Sequence, residues 1–180
     1  MARNKRSNRK AELHMMDLEL LSVLASGVLP YPAEETDRLW KGMLINQFHD
    51  ILPGSSIKEV YEVTKVEYAA LEKRAHELIE EKTNAIAKAL AAKKDDLVVF
   101  NSLSFERNDA VKVPSSGYEG VTAFKSASGE LYPVQRTVEG GLLFAGAPVP
   151  AKGYAVLSPV KEPLSPENGV TIQSLNEIET

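Results

Sequence analysis

From Ser56 onward the chain carries an apolar seam that only a long helix can use. Ile57, Tyr61, Thr64, Tyr68, Leu71, Ala75 and Leu78 recur at alternating steps of four and three, which keeps one helix face turned toward partners. The seam predicts a helix over about 57–93, roughly 55 Å long at about 1.5 Å per residue. Ser56 and Glu59 read as a capping box at its start. Pro53-Gly54-Ser55 reads as a tight link from a preceding antiparallel helix. Two shorter helical patterns lie upstream. Leu13, Met16, Leu20 and Leu24 predict one apolar stripe on a helix over about 8–25, stopped by Gly27 and by the prolines of Leu29-Pro30-Tyr31-Pro32. Leu39, Trp40, Met43, Leu44 and Gln47 predict a second helix after Pro32, with Glu34, Glu35 and Asp37 at the positive end of its dipole. Three helices with short links predict a three-helix antiparallel bundle.

The chemistry of the chain changes near Lys94. Residues 1–94 hold three prolines and three glycines, residues 95–180 seven and eight. The first stretch has 15 Lys/Arg against 14 Asp/Glu, the second 6 against 11. Short apolar runs follow at about ten-residue spacing, beginning with Leu97–Phe100 and separated by Ser-Gly, Gly-Gly or Pro breaks. That pattern predicts antiparallel strands of a β-sandwich. The tail from Gly169 reads as a further strand whose partner is absent, so the chain is expected to stop inside a larger β domain. The expected class is α+β: a helical domain over 1–94 and the N-terminal part of a β-sandwich domain over 95–180.

Several function classes fall away. Net charge is −4 and pI is near 5.5, which argues against a general nucleic-acid binder. The basic start, Met1–Lys10, has no aromatic partners and reads as a solvated helix end. No run of 18 apolar residues exists, so no membrane span is expected. The basic start also lacks the apolar core of a secretion signal, because Glu12, Asp17 and Glu19 follow it. The chain has no cysteine, which excludes disulfides and thiolate metal sites and points to a reducing, cytoplasmic setting.

One pair of residues stands out. His49-Asp50 lies where a plain turn would suffice. Histidine suits the end of a helix, and Asp50 can form an Asx turn into Pro53-Gly54. A carboxylate at a helix C-terminus nonetheless faces the negative end of the dipole, and such local conflicts are expected at functional positions. In the functional reading His49 offers an imidazole nitrogen to zinc, and Asp50 accepts hydrogen bonds from a polar ligand. A catalytic zinc site takes three protein ligands. His14 and His76 are far from His49 in the pattern, make no metal-binding pair by spacing, and read as structural.

The stretch Leu39–Tyr61, "LWKGMLINQFHDILPGSSIKEVY", resembles the middle-domain signature of α-mannosidases of glycoside hydrolase family 38. "LVVFNSLSFERNDAVKVP" and "VPAKGYAVLS" are similar to the opening of that family's C-terminal β region. The resemblance implies a larger enzyme with an N-terminal catalytic barrel, then a helical bundle, then β domains. It implies zinc as cofactor, with His49 as one ligand and Asp50 in contact with sugar hydroxyls. It further implies retaining hydrolysis of α-linked mannose from an oligosaccharide by a barrel aspartate. The barrel is missing here, so no catalytic residue is assigned within the chain, its partner is the missing N-terminal catalytic domain, and the chain alone is expected to be inactive. The alternative is a non-enzymatic interaction module, its helices offering a groove and its β half a binding sandwich, or a carbohydrate-binding β domain, which exposed aromatics on one sheet face would favour; Tyr118, Phe124, Tyr132 and Phe144 are scattered along the β half. Trp40, Tyr61 and Tyr68 read as core, Arg9–Glu12 and Arg107–Asp109 as ion pairs, and Asn101 as a turn residue.

Overall fold

A computed structural model describes residues 2–163, 171–174 and 177–179. The chain is α+β and divides into two compact units, Met1–Ala92 and Lys93–Thr180.

The first unit holds three helices. Helix α1 spans Ala2–Leu24, α2 spans Ala33–Ile45 and α3 spans Lys58–Ala89. Among the described residues, no helix is long and apolar enough to cross a membrane. The α3 seam packs as its spacing requires. Thr64, Tyr68, Leu71, Ala75 and Leu78 are buried, and the seam runs on through Lys82 and Ile86. Lys82 places its Nζ 3.4 Å from the Pro30 carbonyl and 3.1 Å from Glu81 Oε1. The opposing residues are Met15, Leu18, Leu39 and Met43, with Trp40 packed alongside and its indole N–H donating to Glu19.

Three expectations need correction. The buried stripe of α1 is not Leu13, Met16, Leu20 and Leu24. Leu13, Met16 and Leu24 are exposed, and the core takes Ala11, Met15, Leu18, Leu21 and Ala25. Helix α1 has two apolar arcs, and the inward one includes Ala11, which meets the equally buried Ala75 side of α3 without bulk. It also carries the buried polar residues Asn4 and Asn8, which have partners only on that side. Second, the capping box does not form. Ile57 is the N-cap of α3 and provides no side-chain bond, because Ser56 turns its hydroxyl to Asp50 O at 2.8 Å instead. Third, α2 ends at Ile45, before His49 is reached. Asn46 Nδ2 donates to the Gly42 carbonyl at 3.1 Å, which satisfies a helix-end acceptor there. The supposed clash of Asp50 with the dipole of α2 therefore does not arise.

The second unit is antiparallel throughout. Strands β1 (Leu97–Asn101), β7 (Gly153–Val160), β3 (Ala123–Lys125) and β4 (Leu131–Pro133) form one sheet in that order. Strands β2 (Val111–Val113), β6 (Leu142–Phe144) and β5 (Gln135–Arg136) form another. One core draws Phe124, Tyr132 and Leu157 from the first sheet and Val113, Leu142 and Phe144 from the second. The apolar run over 131–138 forms two strands, not one: it breaks at Val134, whose N–H bonds to Thr122 O, and the chain passes from one sheet to the other there. The tail strand has a partner after all: β8 (Thr171–Ser174) pairs with β9 (Glu177–Glu179). The rest of the expected tail strand, residues 169, 170, 175, 176 and 180, lies outside the described residues. Phe124, Tyr132 and Phe144 are buried and Tyr118 packs against them, so these rings do not build an exposed sugar platform.

Asn101 is a buried strut rather than a plain turn residue. Its Nδ2 group donates to the carbonyls of Phe105, Val149 and Pro150, and its Oδ1 accepts from Leu103 N–H. Removing it strands several buried polar groups at about 1–3 kcal/mol each. Asn101→Ala is expected to destabilise the β unit by about 3 kcal/mol in urea unfolding. A change under about 0.5 kcal/mol, the usual range for a surface substitution, would contradict this role.

His14 and His76, unrelated by spacing, come together across α1 and α3 with ring centroids 4.2 Å apart. Burial, reinforced by His76, pulls the His14 pKa down; Glu72 and Asp17 oppose that pull, and Lys10 adds to it. The folded unit therefore holds the His14 proton less tightly than the unfolded chain. Its stability contribution is full above the ordinary histidine value and is lost as pH falls through the folded one. Glu35, held near about 2 by Arg38 and Arg74, titrates well below this window. Lowering the pH from about 7.5 to about 5, across the ordinary histidine pKa, is expected to reduce the urea midpoint of the helical signal. In His14→Gln that loss should be smaller. An identical slope in the variant would rule His14 out as the cause.

Candidate functional site

The link between α2 and α3 carries His49 and Asp50, and the sequence around them explains how it is held. Past Ile45 the chain turns tightly: Gln47 N–H bonds to Leu44 O, Phe48 N–H to Ile45 O, and the N–H groups of Ile51 and Leu52 both bond to Phe48 O. Gly54, at φ +100°, closes the link in a backbone region that favours glycine.

Both flanks of this loop are tied to the helices by polar side chains. On the α1 flank, Gln47 Nε2 donates to Asn8 Oδ1 at 3.0 Å and to Glu12 Oε1 at 3.2 Å. Asn8 Oδ1 also accepts from the buried Tyr68 hydroxyl at 3.1 Å, and Asn8 Nδ2 donates to Glu12. Asn4 Nδ2 reaches the Ile51 carbonyl at 3.2 Å. On the α3 flank, Asn46 Nδ2 donates to Glu67 at 2.8 Å. The Tyr61 hydroxyl accepts from Ser56 N–H at 3.1 Å and lies 3.3 Å from the carbonyls of both Asp50 and Ile51. Burial, with Glu12 and Glu67 adding to it, pushes the Tyr68 phenol up to about 12. It therefore stays protonated and donates across the whole neutral range.

The two candidate side chains themselves are left free. His49 is 76% and Asp50 55% exposed at the side chain, and His49 Nε2 lies 3.5 Å from Asp50 Oδ2. The exposed Phe48 ring packs on the imidazole with centroids 4.1 Å apart. Asp50 Oδ1 receives only a long contact from Ser55 Oγ at 3.4 Å. An accessible imidazole beside an accessible carboxylate is the donor type that zinc takes. Among the described residues, however, no group of three or more His, Asp or Glu could hold a metal ion. The loop thus offers part of a donor set.

The chain is similar to known proteins over most of its length. Residues 1–86, which contain the loop, match the α-mannosidase middle-domain family model. The human protein alpha-mannosidase 2C1 is 30% identical over 95% of this chain. The Saccharomyces cerevisiae alpha-mannosidase is 31% identical over 61% of it. The chain is similar to α-mannosidases, and its first 86 residues to their middle domain. It spans 15% of the human relative's length and 10% of the yeast relative's. Two solved Enterococcus faecalis proteins share its fold, each with a TM-score of 0.58. One, described as a protein in glycosyl hydrolase family 38, is 18% identical and is matched over 88% of this chain and 23% of its own. The other, an alpha-mannosidase, is 16% identical, with 87% and 22% matched.

In this chain His49 and Asp50 are adjacent and accessible, while His14 and His76 pair elsewhere on the helices. The sequence pattern does not single out the anchors. Asn4 and Asn8 stand one helical turn apart on α1, a polar pair on the buried arc, and that spacing is the available signal. The seam spacing places Tyr61 in the core, but its ring is half-buried and its hydroxyl serves the loop. Gln47, placed on the apolar side of α2, lies beyond that helix and bonds α1.

Proposed function

We propose that this chain serves a zinc-dependent, retaining α-mannosidase that removes α-linked mannose from oligosaccharides. In this reading residues 1–94 are the middle domain, a three-helix antiparallel bundle, and residues 95–180 open a β-sandwich domain. His49 donates an imidazole nitrogen to the zinc ion. Asp50 accepts hydrogen bonds from hydroxyls of the bound sugar. The ion would supply a fixed positive charge that orients the sugar and favours its distorted ring. The chain's own contribution is positional: a short loop, tied at both flanks, holds two free donor side chains next to one another. The remaining ligands, the nucleophile and the acid catalyst come from the catalytic domain of the enzyme. The cysteine-free composition supports a cytoplasmic setting for it.

The observation that carries the reading is the contrast within the loop. Its backbone is tied to α1 and α3, yet His49 and Asp50 face solvent without strong partners. A purely structural turn has no need to leave its two most polar side chains unspent.

In the complete enzyme, His49→Ala is expected to lose zinc on dialysis and to lose at least about 100-fold in kcat/KM for an aryl α-mannoside, the upper range for weakened metal sites. The helical circular dichroism should stay unchanged. The 180-residue chain alone should show no turnover. Retained zinc and activity in His49→Ala, or hydrolysis by the isolated chain, would overturn the proposal.

A further inference from the structure

Among the described residues, the Tyr61 hydroxyl has three hydrogen-bond partners, each in the backbone of the loop: the N–H of Ser56 and the carbonyls of Asp50 and Ile51. Each meets a specific need. The Ser56 N–H lies just before α3, where the N-cap Ile57 has no side-chain acceptor to offer, and the Tyr61 oxygen accepts from it. The Asp50 carbonyl already takes the Ser56 hydroxyl at 2.8 Å, and the Tyr61 hydroxyl lies 3.3 Å from that oxygen and from the Ile51 carbonyl, which share its one proton. The Ile51 carbonyl receives Asn4 Nδ2 from α1 as well as Tyr61 from α3.

Two successive peptides are therefore held: Tyr61 of α3 reaches the carbonyl of Asp50–Ile51, and both Tyr61 and Asn4 of α1 reach the carbonyl of Ile51–Leu52. The orientation of the first sets the direction of the Asp50 side chain directly and that of His49 through one further peptide. Exposed side chains on a free loop would sample many directions, and ordering them on binding costs free energy. A clamped backbone removes much of that cost before the ligand arrives. We propose that Tyr61 is a positioning residue for the His49–Asp50 pair, its hydroxyl clamping the Asp50–Ile51 peptide so that imidazole and carboxylate are presented together. The inference rests on the reading of those two residues as site residues.

Tyr61→Phe removes the hydroxyl and keeps the ring, so the α3 seam stays packed. The test uses the complete enzyme proposed above with His49→Ala as comparator. Three readings are taken: zinc content after dialysis, kcat and KM for an aryl α-mannoside, and hydrogen exchange in peptides covering 48–57 and 64–78. Tyr61→Phe is expected to speed exchange in the loop peptide and leave the helix peptide unchanged. Zinc affinity or kcat should fall about tenfold or more, as for other groups that orient metal ligands. If His49→Ala abolishes zinc binding while Tyr61→Phe keeps zinc affinity and kcat within about twofold, below that range, the clamp is refuted and the site stands. If exchange rises equally in the loop and the helix, Tyr61 is only structural and the proposal fails. If His49→Ala itself keeps zinc and turnover, the site reading falls and the clamp with it.

Discussion

Asn8 is where the three helices of this chain are joined by polar bonds. It sits on α1, accepts the Tyr68 hydroxyl from α3 and accepts the Gln47 amide from the end of α2. A buried amide without partners costs about 1–3 kcal/mol, so these bonds are directional constraints rather than decoration. Apolar packing alone would let α1 rotate, because a second apolar arc lies on its other side. Asn4 and Asn8 tell the two arcs apart, since their partners exist on one side only. The register of α1 against α3, and with it the place where the link after α2 must turn, follows from that choice.

The same residues connect the packing of the helices to the chemistry of the loop. Met15, Leu18, Leu39, Met43, Leu71 and Leu78 supply the burial that holds the unit together, at about 1.5–3 kcal/mol for each large side chain. That energy is non-directional. Much of the directional part runs through Asn4, Asn8, Gln47, Asn46 and Tyr61 to residues 46–56, while Trp40–Glu19 and Arg74–Glu35 tie the helices elsewhere. A short link carrying this many anchors is well suited to display side chains at a fixed angle. Under the proposed function, this is how a helical unit with an incomplete donor set contributes to a metal site built mainly elsewhere.

Much of this was legible in the sequence, and the parts that were not have physical reasons. The α3 seam was readable because its period survives burial unchanged from Thr64 to Leu78. The His49-Asp50 pair was readable as a motif. The inward face of α1 was not, because Leu13 and Met16 look as apolar as Met15 and Leu18, and only tertiary partners of Asn4 and Asn8 separate them. The capping box was a correct local pattern overridden by a competing acceptor, the Asp50 carbonyl. His14 and His76 meet only once α1 and α3 are side by side, so spacing carries no trace of their pairing. In the β unit the turn signals marked most strands, but not the point at Val134 where the chain leaves one sheet for the other.

The account turns on whether the His49 imidazole is spent on a metal. Zinc-edge anomalous diffraction from crystals of the complete enzyme proposed above decides this directly. The account predicts an anomalous peak about 2.0–2.1 Å from a His49 ring nitrogen, with the Asp50 carboxylate lining the same cavity. A zinc ion fully ligated by other residues, with His49 turned to bulk solvent beyond about twice that distance, would contradict it.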